Sequence, residues 1–349
     1  MDVSIIKEIY NNYYQMTQKF SEDHRLNSIG WNCSFTGQPY SKEEMREWRD
    51  DTAKILLSFA PESVLEVACG TGMILFSILS HINRYVGLDV AEAGIQFIKN
   101  ELTEQEKKKV SLYEKEANKL SMIPDTAFDL ALINSATQYM GPANTFQSYI
   151  KMMIDKVGYG GKIFLGDMKS KTFQEYFYRS VESFEHPETV AEKKIQRRKK
   201  FDFEFYIDKK YLNGLKGKFE RVKKIDIYAK RGSNPTEMNL FRFDAALYLD
   251  VAPVRSYVEL DGFGKQLSEL EELIQQHPSA PLHMKKIKNK LLYECVMKKY
   301  EEESVETSEP LLYIEDVCKL FEKYGYQVFA TPFENELDEY FDVYAWKED

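Results

Sequence analysis

The chain has 349 residues, of which 43% are apolar and 30% are charged, a composition typical of a folded globular protein and not of a disordered one. Its formal net charge of −9 disfavours nucleic acid as the main partner. Because no apolar segment reaches the roughly 20 residues of a membrane-spanning helix, and the N-terminus lacks the layout of a secretory signal, we expect a cytoplasmic protein without a membrane partner.

Two helices are predicted in the N-terminal region, over residues 3–20 and 41–58. The second begins at Ser41 and has Glu44 three residues later, which is the spacing of a capping box. Between the two helices, residues 29–41 are rich in Gly, Asn, Ser and Pro. That composition predicts an irregular segment.

Short apolar or β-branched runs alternate with helical patterns from residue 62 onward. The predicted strands are 63–68, 85–89, 110–114, 128–134 and 161–167, and the predicted helices between them are 72–80, 92–101 and 143–156. This alternation is typical of βαβ units and of a mostly parallel sheet covered on both faces. The sequence therefore predicts an α/β fold.

The alternation stops after residue 167. Residues 171–215 are charged and helical in composition and predict an insertion. The basic run KKIQRRKK at 193–200 is either a solvated helix face, which we favour, or a dock for an acidic or phosphate-bearing partner. Two long strands, 219–232 and 239–250, predict an antiparallel hairpin that closes the sheet.

Helical patterns dominate the C-terminal region. They extend over 262–302, with a break at 277–283, and residues 311–349 predict one more helix and a terminal strand. We therefore expect the region to be mainly helical.

The four cysteines have no metal-binding or paired spacing. Cys33, Cys69, Cys295 and Cys318 form no C-x-x-C motif, and the five histidines are scattered. This pattern disfavours a zinc site and a disulfide framework. We expect a protein without a metal.

The stretch EVACGTG, which begins at Glu66, follows the first predicted strand. Small residues at Ala68, Gly70 and Gly72 let a ligand approach the backbone, and Glu66 offers an acceptor for a cationic group or a water. Asp89 ends the next predicted strand, 19 residues after Gly70, a distance that suits the hydroxyls of a ribose. Because open parallel sheets bind ligands at the carboxyl ends of their strands, the turn and the acid predict a nucleoside site.

The glycine pattern narrows the ligand class. A dinucleotide fingerprint needs G-x-G-x-x-G, but Ile74 and Leu75 stand where its third glycine belongs, and no P-loop lysine follows. The pattern E-x-A-x-G-x-G is instead the E/D-x-G-x-G-x-G form of S-adenosylmethionine sites, with Ala68 in place of the first glycine. Alanine suits this turn if its φ is negative, because only a left-handed position demands glycine.

Further stretches make the chain resemble the class I methyltransferase domains of nonribosomal peptide synthetases and their freestanding relatives in natural-product pathways. They are GWNCSFTGQPYSKEEMREW (30–48), VLEVACGTGMILF (64–76), YVGLDVA (85–91), LINSATQYM (132–140), GGKIFLGDMKS (160–170) and KRGSNPTEMNLFRFDAAL (230–247). The resemblance implies a Rossmann-like, seven-stranded sheet. It divides the chain into a helical N-terminal lid (1–60), a methyltransferase core (61–250) with the insertion near 171–215, and a C-terminal helical appendage (251–349).

The resemblance also implies which residues contact S-adenosylmethionine. They are Trp31, Gln38, Glu66, Ala68, Gly70, Asp89, Val90, Glu116, Ala117, Asn134 and Gln138. Trp31 and Gln38 belong to the lid, together with Asn32. Glu66, Ala68 and Gly70 border the methionine portion, and Asp89 with Val90 holds the ribose. Glu116 and Ala117 flank the adenine, with Glu114 as the alternative to Glu116.

The residues implied in catalysis are Asn134, Tyr139 and Glu237. Asn134 and Tyr139 would face the sulfonium and the acceptor, and Glu237 would accept the proton of an attacking amine. An acid in a hairpin loop, such as Glu237, is nevertheless more typical of a solvated surface.

These features together predict an S-adenosylmethionine-dependent methyltransferase that acts on a peptide, an amino acid or a related natural-product metabolite, with nitrogen as the favoured acceptor. We expect a small-molecule or carrier-tethered substrate and a synthetase or carrier protein as partner. Two alternatives stay open: an O- or S-methyltransferase of a small secondary metabolite, and a nucleoside-binding scaffold without turnover.

Overall fold

The computed structural model describes residues 3–15, 24–124, 126–185, 192–297, 308–332 and 339–347. Its N-terminal region contains helices α1 (Val3–Gln15) and α2 (Lys42–Leu57). The predicted capping box begins α2: the Ser41 hydroxyl accepts from the Glu44 N–H at 3.1 Å, and the Glu44 carboxylate accepts from the Ser41 N–H at 2.8 Å. The predicted extension of α1 to residue 20 lies outside the described residues.

Seven strands form the central sheet: β1 (Ser63–Val67), β2 (Arg84–Asp89), β3 (Val110–Glu114), β4 (Phe128–Asn134), β5 (Val157–Lys169), β6 (Val222–Ala229) and β7 (Arg242–Leu249). Their order is β3-β2-β1-β4-β5-β7-β6, and only β7 runs antiparallel to its neighbours. The predicted α/β fold with a Rossmann-like seven-stranded sheet is confirmed. Strand order reverses between β1 and β4, which places a ligand crevice at their carboxyl ends.

The helices that follow α2 cover both faces of the sheet or lie beside it. They are α3 (Met73–Ile78), α4 (Glu92–Glu101), α5 (Ala143–Lys156), α6 (Gln174–Glu185), α7 (Glu192–Phe201), α8 (Lys209–Lys218) and α9 (Glu237–Phe241), and 3-10 helices lie at Leu79–His81, Glu106–Lys108, Ala117–Met122 and Thr137–Tyr139. Neighbouring strand residues belong to opposite cores: Leu65 and Ile133 pack on one face, Val64 and Leu132 on the other. This burial on both faces explains why the strands are almost continuously apolar.

The insertion after β5 is narrower than the predicted 171–215. Helices α6 and α7 pack together beside the core. Helix α8 instead buries Leu212 and Leu215 in the core of the sheet, so it is the crossover helix between β5 and β6. The predicted hairpin of β6 and β7 is present, and the short helix α9 lies between its two strands.

The prediction of a mainly helical appendage at 251–349 is wrong, because a second sheet organises this region. The elements are β8 (Val258–Asp261), α10 (Leu267–Gln276), β9 (Leu282–Lys288), α11 (Lys290–Leu292), a π-helical turn (Tyr293–Met297), α12 (Ile314–Lys323), β10 (Gln327–Pro332) and β11 (Tyr340–Trp346). The strand order is β10-β11-β9-β8. Strand β9 buries Leu282, Met284 and Ile287 in a core of its own, and this packing overrides the helical composition of its lysines.

Within the described part of the chain, no helix has both the length and the apolar character required to cross a bilayer.

Candidate functional site

The loop between β1 and α3 has a left-handed backbone at three positions. The φ angles are 61° at Ala68, 53° at Gly70 and 77° at Gly72. The condition under which alanine suits this turn, a negative φ at Ala68, is therefore not met. A Cβ at Gly70 would lie 3.0 Å from the Tyr14 hydroxyl oxygen, so the loop also needs a residue without a side chain where α1 approaches it.

Asp89 ties this loop to the end of β2. Its two carboxylate oxygens accept the N–H of Gly70 and the N–H of Ala91, each at 2.8 Å. The side chain is 7% exposed, and burial raises its pKa above the ordinary value. A carboxylate has about four acceptor positions, so Asp89 can still accept hydrogen bonds from two ligand hydroxyls.

Glu66 is buried at the carboxyl end of β1. It is 3% exposed, and the Tyr85 hydroxyl donates to it at 2.5 Å. Burial raises the pKa of Glu66 to about 8, although the bond from Tyr85 opposes this shift. Glu66 can therefore hold a proton at neutral pH and lose it when a cationic group is placed nearby.

Two amide side chains follow β4. Asn134 Oδ1 and Gln138 Oε1 are buried but accept no hydrogen bond from any residue that the structure describes. The Gln138 amide is oriented by its other end, because Nε2 donates to the Ser135 carbonyl at 2.9 Å. Buried acceptors of this kind normally have a partner, and both residues line the same cavity.

That cavity has a volume of about 320 Å³ and lies at the carboxyl ends of β1, β2 and β4. It brings together all predicted site residues except one. Those that line it are Trp31, Glu66, Ala68, Gly70, Asp89, Val90, Glu116, Ala117, Asn134, Gln138, Tyr139 and Glu237. Asn32 lines it as well, whereas the alternative Glu114 forms an ion pair with Lys7 at 2.7 Å outside the cavity.

Gln38 is the exception, because it does not line the cavity. It follows Gly37, whose φ is 67°, in a tight turn. The Gln38 carbonyl accepts from the Cys33 N–H at 2.8 Å, and the side chain is exposed.

Helix α1 forms the roof of the cavity. Ile6, Tyr10 and Tyr14 lie four residues apart on one face and line it, and the Tyr10 hydroxyl donates to the Tyr139 hydroxyl at 3.0 Å. The Asn11 side chain accepts the Ala93 N–H at 3.0 Å. Sequence reasoning missed these tyrosines, but their spacing of four residues was a usable signal.

Charged side chains occupy the end of the cavity near β5 and β7. Glu237 is 3% exposed, so its interpretation as a solvated surface acid is wrong. It accepts from Arg242 at 2.5 Å and from the Ser34 N–H at 3.1 Å. Arg242 also donates to Asp167 at 2.5 Å, and the pair Lys169–Glu204 lines the same end.

Asp167 shows how these charges balance. Burial opposes its ionisation, but Arg242, Lys230 and the Ser135 hydroxyl together lower the pKa of Asp167 below its ordinary value. This end of the cavity therefore presents fixed charges of both signs. Such a wall can orient an acceptor that carries both an amine and a carbonyl or carboxylate group.

Parts of the chain are similar to known proteins. Residues 64–161 match the family model described as a methyltransferase domain. Chondramide synthase cmdD of Chondromyces crocatus is 27% identical over 237 residues, which cover 66% of this chain and 6% of the synthase. Nonribosomal peptide synthetase asqK of Emericella nidulans is 31% identical over 244 residues, which cover 65% of this chain and 9% of the synthetase.

The chain thus spans less than a tenth of the length of these two synthetases. Among solved structures, the N-methyltransferase NodS of Bradyrhizobium japonicum is similar with 14% identity and a TM-score of 0.42, over 69% of this chain and 99% of NodS. The topology is fixed by the strand order of the chain itself. Residues 64–161 are thus similar to a methyltransferase domain, and a larger part of the chain is similar to segments of nonribosomal peptide synthetases.

Proposed function

We propose that the chain is an S-adenosylmethionine-dependent methyltransferase that methylates a nitrogen atom of an amino acid, a peptide or a related metabolite. The observation that carries the proposal is the meeting of three groups in one cavity. These are the left-handed loop at 68–72, the Asp89 carboxylate and the unpartnered amide oxygens of Asn134 and Gln138.

The residues present suit this cofactor. Glu66 and the loop backbone would hold the methionine portion, Asp89 and Val90 the ribose, and Glu116 with Ala117 the adenine. When bound, S-adenosylmethionine supplies an electrophilic methyl group whose leaving group is a neutral thioether. The chain therefore has to align the acceptor, exclude water and bind the acceptor proton.

The chain's own side chains can perform these tasks. Asn134 and Gln138 offer fixed acceptor dipoles near the reacting carbon, and the α1 tyrosines close the cavity to water. Glu237 faces the acceptor end, where Oε1 accepts from Arg242 and Oε2 accepts, among the described residues, only the Ser34 N–H. We assign Glu237 Oε2 to the acceptor amine, which it orients and from which it takes the proton.

The test is incubation with methyl-labelled S-adenosylmethionine and panels of free and carrier-bound amino acids, with mass spectrometry to locate the label. We expect label on nitrogen. Asn134→Ala should lower kcat about 100-fold, because misplacing reacting groups costs that order of rate. Gln38→Ala, an exposed control, should leave kcat unchanged.

The outcomes separate the alternatives. Label on oxygen or sulfur would replace the proposal with an O- or S-methyltransferase. Binding of the cofactor without label on any acceptor would support a scaffold. Absence of cofactor binding would overturn the assignment of the cavity.

We further infer that the acceptor is presented by an acidic carrier protein. Helix α7 carries exposed Lys193, Arg197 and Lys199 on a chain whose net charge is −9. The adjacent Phe203 is 75% exposed, and the next residue, Glu204, lines the cavity. A basic and aromatic surface beside the acceptor end is complementary to an acidic protein that delivers a tethered substrate.

Charge reversal tests this partner. The double variant Lys193→Glu and Arg197→Glu should raise KM for a carrier-bound acceptor at least 10-fold, with a weaker salt dependence, because opposite charges steer association. KM for the free acceptor should not change. Reversal at Lys107 and Lys108, in the 3-10 helix before β3, is the control. If the double variant and the control have the same KM for the carrier-bound acceptor, the docking surface is contradicted. The proposed methyl transfer is unaffected by that outcome.

A further inference from the structure

A second cavity, of about 250 Å³, lies between the central sheet and the C-terminal sheet. Its walls come from the end of α2, from β5, β6 and β7, and from β10 and β11. It shares no lining residue with the cofactor cavity. Lys162, in the wall of this cavity, pairs with Leu130 of the neighbouring strand β4. Leu130 lies four residues before Asn134, which lines the cofactor cavity, so the two cavities are separated by roughly 13 Å along the strands.

The wall of this cavity carries an excess of positive charge. Its charged residues are Lys54, Lys162, Lys224, Arg231, Arg255, Asp51 and Asp226. Three of the five cations have carboxylate partners: Lys54 pairs with Glu322, Lys224 with Asp226, and Arg231 with Glu315 and Glu322. Lys162 and Arg255 form no ion pair with any residue that the structure describes.

Aromatic rings hold these two cations. Lys162 Nζ lies 5.5 Å from the ring centre of Phe59 and 5.8 Å from that of Tyr248. The Arg255 guanidinium carbon lies 4.2 Å from the ring centre of Trp346. A cation above a ring is attracted to its face but keeps N–H groups available for another acceptor.

The environment of Lys162 makes an anionic ligand favourable. The side chain is partly buried, and this burial lowers the pKa of Lys162 below its ordinary value, while the charge of Asp129 opposes the shift. A partly desolvated ammonium without a carboxylate is stabilised by an anion that enters the cavity. The remaining surface of Tyr248, Phe329 and Trp346 offers an apolar wall.

We propose that this cavity binds a small organic anion, a carboxylate or phosphate on a flat apolar body. Lys162 and Arg255 contact the anionic group, and the rings of Tyr248, Phe329 and Trp346 contact the body. Since the walls belong to both sheets, an occupant bridges the core and the C-terminal region. Its binding adds to the stability of the folded chain by mass action.

The test uses the full chain and four probes: phenyl phosphate, benzoate, inorganic phosphate and phenol. Binding is measured by calorimetry and by the rise in Tm. We expect phenyl phosphate or benzoate to bind, and the tighter of the two identifies the anionic group. Inorganic phosphate and phenol, which each lack one half of the recognised chemistry, should bind at least 10-fold more weakly.

Variants locate the site. Lys162→Gln and Arg255→Gln should each weaken binding of the best probe at least 10-fold, while Lys223→Gln, on the exposed side of β6, should leave it unchanged. The Kd for S-adenosylmethionine, measured by calorimetry, should be the same in all three variants. This agreement would show that each variant is folded. The proposal is overturned if neither organic anion binds, if inorganic phosphate binds as tightly as they do, or if Lys162→Gln and Arg255→Gln retain full affinity.

Discussion

Ala68 is the residue at which the cofactor loop stores backbone strain. A left-handed alanine costs about 1–2 kcal/mol, and its φ of 61° lies in that region. We expect Ala68→Gly to raise the free energy of unfolding by about 0.5–1 kcal/mol, because relief of strain exceeds the added entropy of the unfolded chain. Urea denaturation measures the change. Ala53→Gly, within α2, is the control and should lower stability by about 1 kcal/mol. Loss of stability in Ala68→Gly would show that the loop is unstrained.

Glu66 makes stability depend on pH. An ordinary glutamate titrates near 4.5, whereas the pKa of the folded Glu66 is about 8. The stability that its protonated form contributes is therefore complete below pH 4.5 and is lost as the pH rises to about 8. Glu66→Gln cannot ionise. We expect its unfolding free energy to match the wild type near pH 4.5 and to exceed it by about 4 kcal/mol at pH 8, since one pKa unit corresponds to about 1.4 kcal/mol.

Urea denaturation from pH 4.5 to 8.5 measures this difference. Glu62→Gln, at an exposed position just before β1, should follow the wild-type curve at every pH. If the Glu66→Gln curve also runs parallel to the wild type, Glu66 is ionised throughout and its burial does not raise the pKa.

Residues at strand ends were the predictable part of the site. Glu66, Asp89 and Asn134 follow apolar runs, and parallel strands bring their carboxyl ends to one edge. The pair Glu237–Arg242 was not predictable as an ion pair. Its place in the cavity depends on the antiparallel pairing of β5 with β7, in which Lys169 lies opposite Arg242. No local sequence pattern predicts that β5 and β7 pair in this register.

At the scale of elements, α1 depends on the core for its structure. It has 13 residues, and isolated helices of that length are marginal in water. Its Asn11 side chain supplies the acceptor that the N-terminus of α4 lacks, because Ala91 has no capping side chain. The helix therefore remains in place through contacts that also close the cofactor cavity.

We expect Asn11→Ala to weaken the docking of α1 by about 1 kcal/mol, the usual cost of a lost cap. This corresponds to about a 5-fold rise in the Kd for S-adenosylmethionine. Amide hydrogen exchange in residues 3–15 should be faster in the variant and should slow when the cofactor is added. Asn12→Ala, on the exposed face of the helix, is the matched control. Equal Kd values for the two variants would show that α1 does not cover the bound cofactor.

The elements of the core and of the C-terminal region differ in predictability for a physical reason. Buried parallel strands such as β4 are mostly apolar, which distinguishes them from charged helices. Strand β9 contains Lys285 and Lys286 between its buried residues and ends at Lys288, so its composition favours a helix. It is a strand because it pairs with β11, far along the chain, and that partner is invisible to local patterns.

At the scale of the whole molecule, Arg231 joins three parts of the chain. The side chain lies just after β6 and is almost fully buried. It donates to Glu315 and Glu322 of α12, both at 2.8 Å, and lies 3.8 Å from Asp51 of α2. Burial raises the pKa of Asp51 to about 6, and the Arg231 charge opposes that shift. The C-terminal region is therefore held to the core by a buried cation among three carboxylates.

Removal of this cation leaves buried carboxylates without compensation. We expect Arg231→Met to lower the free energy of unfolding by about 3–5 kcal/mol at pH 8. Without Arg231, the pKa of Asp51 in the folded chain rises further above its unfolded value, and Glu322 loses a cation that lowers its pKa. Both changes remove stability as the pH rises, so the deficit should shrink at pH 5. The double variant Arg231→Met and Asp51→Asn should recover part of the stability, because one uncompensated charge is gone.

Urea denaturation at both pH values gives the size of the effect, and amide hydrogen exchange shows where it acts. Exchange in α12 and β10 should accelerate more than in β1, since the lost contacts join the C-terminal region to the core. Arg46→Met is the control, because Arg46 forms only an exposed pair with Glu43 at 3.7 Å and should cost less than about 1 kcal/mol. A deficit in Arg231→Met that equals the control, or that does not change with pH, would mean that apolar packing between the two sheets holds the C-terminal region in place.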